Sequence, residues 1–264
     1  MAFIKHIILL TLLLMAGLFV FAQEQEVEKR NKKVREPVYD SISDRVLLRR
    51  EFAGGLILHS RGWGLHFRKG RNLSFSRSLN WEIDVVSLRS PKEIKSLNPY
   101  FNNAKSYVYG KLNHTYILRA GIGIKRLLNR KPYWGGVELR FVYMGGFSLA
   151  FAKPVYLYIL NYTPDNESYS IDIERYDPET HGLDNIYGRA PWINGVEYTT
   201  LHPGLYAKLG LNFEFGKYNS SIKAVEVGGI LDFYPLPLEI MAYNPKRTLI
   251  LTFYIGVSFG KRYD

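Results

Sequence analysis

The chain has 264 residues, with 35 Lys and Arg against 24 Asp and Glu, and a formal net charge of +11. It has no Cys, which excludes disulfides, thiolate metal sites, cysteine nucleophiles and a lipid anchor on Cys. Hydrophobic residues at 47% exclude disorder for most of the chain, and 15% aromatics beside 23 Gly suit strands and turns better than helical bundles. The mean hydropathy of −0.14 argues against a polytopic helical membrane protein.

Residues 1–22 read as a secretory signal. A basic start at Lys5 and His6 precedes the apolar run Ile7 to Leu14, which ends Phe19-Val20-Phe21-Ala22 before Gln23. Cleavage is expected after Ala22. The apolar stretch is shorter than the roughly 20 residues a spanning helix needs, and no later segment supplies such a run. Any further membrane contact must then be made by strands. Residues 23–45 are densely charged, from Glu24 and the basic cluster Lys29 to Arg35 through to Arg45, with Pro37 in the middle. That density cannot bury a core, so a disordered periplasmic arm is expected, able to touch lipid headgroups or a neighbouring protein.

From about residue 50 the chain alternates with period two. The first hairpin, Phe52 to His59 and Trp63 to Phe67, is blurred by Gly54, Gly55, Gly62 and Gly64. Trp81, Ile83 and Val85 alternate with Glu82 and Asp84; Leu118, Ala120, Ile122 and Ile124 with Arg119, Gly121, Gly123 and Lys125. Val137, Leu139, Phe141 and Tyr143 alternate with Glu138, Arg140 and Met144. Leu205 to Phe213 and Val225 to Phe233 repeat the pattern, and Leu249 to Phe259 sustains it longest. These runs predict about eight strands of membrane-crossing length.

The same alternation serves a soluble barrel with its apolar face inward or a membrane barrel with that face toward lipid. Three features favour the second. The polar faces mix glycine with charges of both signs, which suits a narrow filled lumen. Aromatics such as Tyr133, Trp134, Phe233, Tyr234 and Phe259 stand at strand ends, where interfacial girdles belong. Short links at Arg68 to Asn72, Leu128 to Trp134 and Gly216 to Ser221 alternate with long ones at Arg89 to Lys105, Pro154 to His202 and Pro235 to Thr248. The predicted fold is therefore all-β: a transmembrane antiparallel up-and-down β-barrel over 46–264, with one long extracellular loop at 154–202.

At this point the chain resembles the small outer-membrane β-barrel proteins of Bacteroidota-type bacteria. The resemblance rests on Glu51-Phe52-Ala53-Gly54-Gly55-Leu56, Gly62-Trp63-Gly64-Leu65, Pro91-Lys92-Glu93, the run Tyr107 to Asn113 and Leu118-Arg119-Ala120-Gly121-Ile122-Gly123. It covers most of residues 50–264 and implies fold and location only. Such barrels end on a terminal aromatic; here Phe259 is followed by five further residues, so the assembly signal is expected to be offset or replaced.

Candidate chemistry is sparse. His59-Ser60 with His66 is the nearest approach to a hydrolase set, but neighbours on one strand face opposite ways, and no Gly-x-Ser-x-Gly elbow occurs. The six His lack ligand spacing, the acidic run Asp165 to Glu179 lacks EF-hand order, and Gly121-x-Gly123 lies within a strand. No catalytic, metal or cofactor site is expected. If the parities hold, Glu82, Arg119, Glu138, Arg140, Lys208, Glu214, Glu226 and Asp232 converge in the lumen as a paired charge network, closing it. The loop 154–202, acidic and aromatic, offers Tyr162, Tyr169, Tyr176, Tyr187 and Trp192 as partner contacts. The expected role is non-enzymatic: a structural or accessory subunit of a cell-envelope complex. The alternative is a small transport barrel or a lipid-modifying enzyme. Expected partners are outer-membrane lipid and lipopolysaccharide and other envelope proteins, with no nucleic acid.

Overall fold

A computed structural model describes residues 48–100, 104–130, 136–163, 168–216 and 220–264. The expected signal (1–22) and arm (23–45) lie outside the described residues, as do Tyr133, Trp134, Asp165 and Glu167. In chain order the strands begin β1 Arg50–His59, β2 Gly62–Ser74, β3 Arg77–Leu88, β4 Lys95–Ser96 and β5 Tyr107–Val108. They continue β6 Asn113–Asn129, β7 Glu138–Pro154, β8 Tyr156–Thr163, β9 Ser168–Arg175 and β10 Ile186–Arg189. The last are β11 Thr200–Glu214, β12 Ser221–Leu238 and β13 Arg247–Tyr263.

Eight of these strands close on themselves in the order β1-β13-β12-β11-β7-β6-β3-β2, with antiparallel neighbours throughout. Closure leaves no edge in the ring. Parity sets the two faces. On β13, Leu249, Leu251, Phe253, Ile255 and Phe259 are exposed while Thr252, Tyr254, Ser258 and Arg262 are buried. On β3, Trp81, Ile83 and Val85 point out while Glu82 and Asp84 point in. Apolar outside and ionic inside is the arrangement of a barrel solvated by lipid, the reverse of a soluble one.

Two rims follow from the connections. One, the terminal rim, carries Arg50, Tyr263 and the shorter links 75–76, 130–137 and 215–220. The opposite, loop rim carries the tight turn 60–61 and the long connections 89–112, 155–199 and 239–246. β6, β7, β12 and β13 run to 17 or 18 residues, whereas a tilted strand crosses a bilayer in about 9–11.

Four readings of the sequence are corrected. The link placed at Arg68 to Asn72 is strand: β2 continues to Ser74 and the turn is Phe75-Ser76, which puts Arg68 inside the lumen. The segment 154–202 is not devoid of strands; β8, β9 and β10 form a three-stranded sheet in the order β10-β8-β9. Tyr234, assigned to an interfacial girdle, is fully buried within the lumen, because it continues the inward parity of Ile230 and Asp232 on β12. The last strand does not stop at Phe259 but runs on to an outward-facing Tyr263.

Candidate functional site

The lumen is packed in layers. Nearest the terminal rim, Lys125 Nζ donates to Glu51 Oε1 at 2.8 Å, and Arg262 reaches Glu51 at 3.3 Å and grips Glu214 with two bonds of 2.7 and 2.6 Å. At mid-height Arg68 joins two carboxylates: Nε donates to Glu82 at 2.6 Å, while Nη1 and Nη2 donate to Glu226 at 2.9 and 3.0 Å. Lys208 closes the same group by pairing with Glu82 and standing 3.3 Å from Glu226. Tyr254 Oη and Asn212 Nδ2 donate to the two oxygens of Glu226 at 2.9 and 3.0 Å. Higher still, Arg119 holds Asp232 by two bonds of 2.8 Å.

Above the ions lies an apolar cap built from Ile57, Leu88, Ile117, Ile230, Tyr234 and Ile250 among others. Glycines on the inner face make room for the large groups: a Cβ at Gly121 would strike the Tyr206 hydroxyl, and one at Gly210 the Tyr254 hydroxyl. Side chains of Arg68, Glu82, Lys208 and Glu226 are at most 3% exposed. An ion in such a place must be paired, because an uncompensated one costs several kcal/mol.

The predicted lumenal residues divide. Glu82, Arg119, Lys208, Glu214, Glu226 and Asp232 enter the buried network. Glu138 and Arg140 pair with each other near the terminal rim and are only half-buried. The network expected from sequence lacks Arg68, Glu51 and Arg262, and also Asp84 and Lys125, although the alternation of β3 and β6 puts those two on the inward face. Among the described residues, the buried lumenal charges are six carboxylates (Glu51, Glu82, Asp84, Glu214, Glu226, Asp232) and five cations (Arg68, Arg119, Lys125, Lys208, Arg262). Asp84 is the surplus. Its nearest cation is Lys208 Nζ at 4.0 Å, and neither of its oxygens accepts a hydrogen bond among the described residues.

The loop rim is a folded platform. Leu157, Ile159, Tyr176 and Ile186 from the β8–β10 region pack with Tyr107 of β5 and Val155 into a second core. Asn98 Nδ2 donates to the carbonyls of Leu183 and Ile186 at 3.1 and 2.7 Å, tying the β3–β6 connection to the sheet. Tyr109 stacks on Tyr243 of the third long loop at 6.4 Å between centroids. Gly110 turns the chain there with φ of 74°, a left-handed conformation that favours glycine. Lys111 Nζ donates to Glu93 at 2.7 Å; burial lowers its affinity for a proton, and Glu93 opposes that. Asp172 is held below the usual carboxylate range by hydrogen bonds from Ser170 and Asn161.

The five aromatic loop candidates do not act as a group. Tyr176 is buried in the platform core, which corrects its assignment as a partner contact. Trp192 folds back on the barrel wall, its indole N–H donating to Tyr116 Oη at 3.2 Å and its ring lying under Lys153. Tyr187 is half-buried. Tyr162 and Tyr169 face each other across β8 and β9, with centroids 5.1 Å apart and both exposed. Cross-strand partners share a face, so Ile171 and Ile173 extend the same exposed surface down β9.

The hydrolase candidates are occupied by the turn. His59 Nδ1 accepts the Arg61 amide, Ser60 Oγ accepts the Phe253 amide, and His66 lies in the lumen bonded to Ser258 at 2.8 Å.

Apolar outer wall, ionic lumen and closed ring together define the fold. The chain is a β-barrel of the outer-membrane type. No protein-family model and no curated protein matches it. Among solved structures, Neisserial surface protein A is similar over 81% of this chain and 95% of its own, with 6% identity and a TM-score of 0.38. Ail, the attachment invasion locus protein of Yersinia pestis, is similar over 82% of this chain and 100% of its own, with 7% identity and a TM-score of 0.39. Likeness at that level carries nothing about role, and the strand pairing above establishes the fold by itself.

Proposed function

We propose that the protein is a non-enzymatic integral barrel of the outer membrane, exported by a signal cleaved after Ala22, that serves as a structural or accessory subunit of a cell-envelope complex. The observation that carries this reading is the filled lumen beneath an ordered platform. A core of paired ions under an apolar cap is a rigid plug, and the surfaces left for recognition are the loops and the 23–45 arm. With the terminal rim in the periplasm, the usual orientation of such barrels, the platform stands outside the cell. The exposed surface around Tyr162, Tyr169 and Ile171 would then meet a protein partner. Aromatics there bury large areas with few rotatable bonds. The surrounding lipid and lipopolysaccharide complete the set of proposed partners, and the Bacteroidota-type resemblance is compatible with this assignment.

Co-purification from mildly solubilised membranes tests the reading. The full chain is expected to bring down specific envelope proteins, and the variant Tyr162→Ser/Tyr169→Ser/Ile171→Ser to lose them while keeping its heat-modifiable gel mobility. A wild-type barrel that purifies alone and conducts ions or releases fatty acid would overturn it in favour of transport or lipid chemistry.

A further inference from the structure

The outward-facing cations are unevenly distributed. At the terminal rim, Arg50 on β1, Lys69 and Arg71 on β2, and Arg77 on β3 are all exposed. So are Arg126 on β6, Lys223 on β12 and Lys261 on β13. Each lies one or two same-face steps beyond an apolar residue of the lipid-facing wall: Arg50 after Phe52, Lys69 after Phe67, Lys261 after Phe259. That step is headgroup depth. In ring order the six strands β12, β13, β1, β2, β3 and β6 are consecutive, so the cations form one unbroken arc. The remaining two, β7 and β11, meet the same rim with Leu139 opposite Phe213 and carry no outward cation there among the described residues.

The arc has no internal compensation. None of its seven cations forms an ion pair with another described residue. Of the acids of this rim, Glu51 and Glu214 point inward to Lys125 and Arg262, Glu138 pairs with Arg140, and the exposed Asp264 forms no ion pair with a cation of the arc. Two pairs of the arc are directly opposed like charges, Arg50 against Arg71 and Arg77 against Arg126. Facing like charges on one sheet face repel and destabilise the pairing unless a counter-ion lies between them. The loop rim differs, since exposed Lys92, Lys95 and Arg175 share it with exposed Asp172, Asp177 and Glu179.

We infer that this arc is a seat for the phosphates of anionic phospholipids in the leaflet that meets the terminal rim, with the paired arginines as its strongest receptors. The inference rests on the barrel reading and adds a lipid class, a leaflet and a sector to it. Guanidinium groups donate to phosphate oxygens in a fork, and apolar chains of the same lipids lie against Phe52, Phe67 and Phe259 directly above. An anionic lipid thereby neutralises the rim in the membrane that a detergent or a zwitterionic lipid leaves charged.

The test is the full chain reconstituted in phosphatidylcholine vesicles containing a minor fraction of spin-labelled phosphatidylglycerol or spin-labelled phosphatidylcholine. Electron spin resonance reads the lipid held at the protein surface. The expected result is a preference for phosphatidylglycerol of about threefold or more at low salt, falling toward one near 1 M salt as the screening length shrinks to about 3 Å. Lys69→Gln/Arg77→Gln/Lys261→Gln should remove most of that preference, as should the separate variant Arg71→Gln/Arg126→Gln. Lys92→Gln/Lys95→Gln/Lys105→Gln, which deletes as much charge from the loop rim, should keep it. An inserted wild type without preference, arc variants that retain it, or loss in the loop-rim variant instead would each overturn the inference and leave the barrel standing. Absence of immobilised lipid of either kind would overturn the barrel reading itself.

Discussion

Arg68 and Glu226, 158 positions apart in sequence, meet across the lumen in two hydrogen bonds of 2.9 and 3.0 Å. Arg68 also binds Glu82, and Lys208 binds both acids, so two cations and two carboxylates form a closed quartet at the centre of the barrel. Strands β2, β3, β11 and β12 each contribute one member, and the quartet ties opposite walls of the ring together.

Breaking the quartet on one side leaves a buried charge unpaired. Arg68→Met is expected to cost about 3–5 kcal/mol, read as a lower urea midpoint for loss of the compact gel band. Adding Glu226→Gln to that variant should recover part of the loss, because the surplus carboxylate goes with its partner. A double variant whose loss equals the sum of the losses of Arg68→Met and Glu226→Gln measured singly would show that the two residues are not coupled.

Asp84 provides the contrast. It is the sixth carboxylate against five cations and accepts no hydrogen bond among the described residues. Asp84→Asn removes the surplus charge at nearly constant shape, so it should be neutral or stabilising. Glu82→Gln, which strips an acceptor from both Arg68 and Lys208, should be clearly destabilising in the same unfolding assay.

On the outer wall, Leu251→Arg or Leu209→Arg puts a cation into hydrocarbon. Each should cost about 2–4 kcal/mol if it lies at the bilayer midplane, seen as reduced membrane assembly. Thr252→Arg, one residue away and fully buried, should fail for a different reason, by overfilling the lumen. Normal assembly of both leucine variants would contradict the assigned faces.

The platform should open at high pH. Burial first, then the adjacent Tyr109 and Tyr243, push the Tyr176 phenol from 10.0 up to about 12. Folding therefore favours the neutral phenol. Its contribution is complete below about pH 10 and is lost as the pH rises through about 12. Protease cleavage within 155–199 should rise over that window while the barrel stays intact, and Tyr176→Phe should flatten the rise. Cleavage independent of pH would remove Tyr176 from the account.

Strand number, facing and the alternation of long and short links were legible because period two persists over ten or more residues wherever one face meets lipid and the other meets ions. Arg119, Lys208 and Asp232 are readable in that way. Arg68 is not: the apolar outward face of β2 gives way to Lys69 and Arg71 after Phe67, and Gly70 between them imitates a turn, while the inward-facing Gly62, Gly64 and Gly70 serve close approaches to Ser87, Val85 and Glu51. Glu51 and Arg262 fall at strand ends, where pattern fades but hydrogen bonding continues. Which acid meets which base depends on ring order and on side chains reaching across it, and no local spacing encodes that. The platform sheet is not legible because Tyr156, Leu157, Tyr158, Ile159 and Leu160 are apolar on both faces, one buried and one half-buried, so no alternation appears.

The ring is completed where β1 hydrogen-bonds to β13 and Glu51 reaches Arg262, 211 positions further along. A chain delivered with its amino end first therefore presents β1 long before the strand that pairs with it has arrived. During that interval one side of β1 is an open template for any passing extended peptide, and β13 inherits the same hazard on arrival. Correct assembly then becomes a matter of timing: a delay in delivering the final strand turns the barrel's most specific junction into its most aggregation-prone surface.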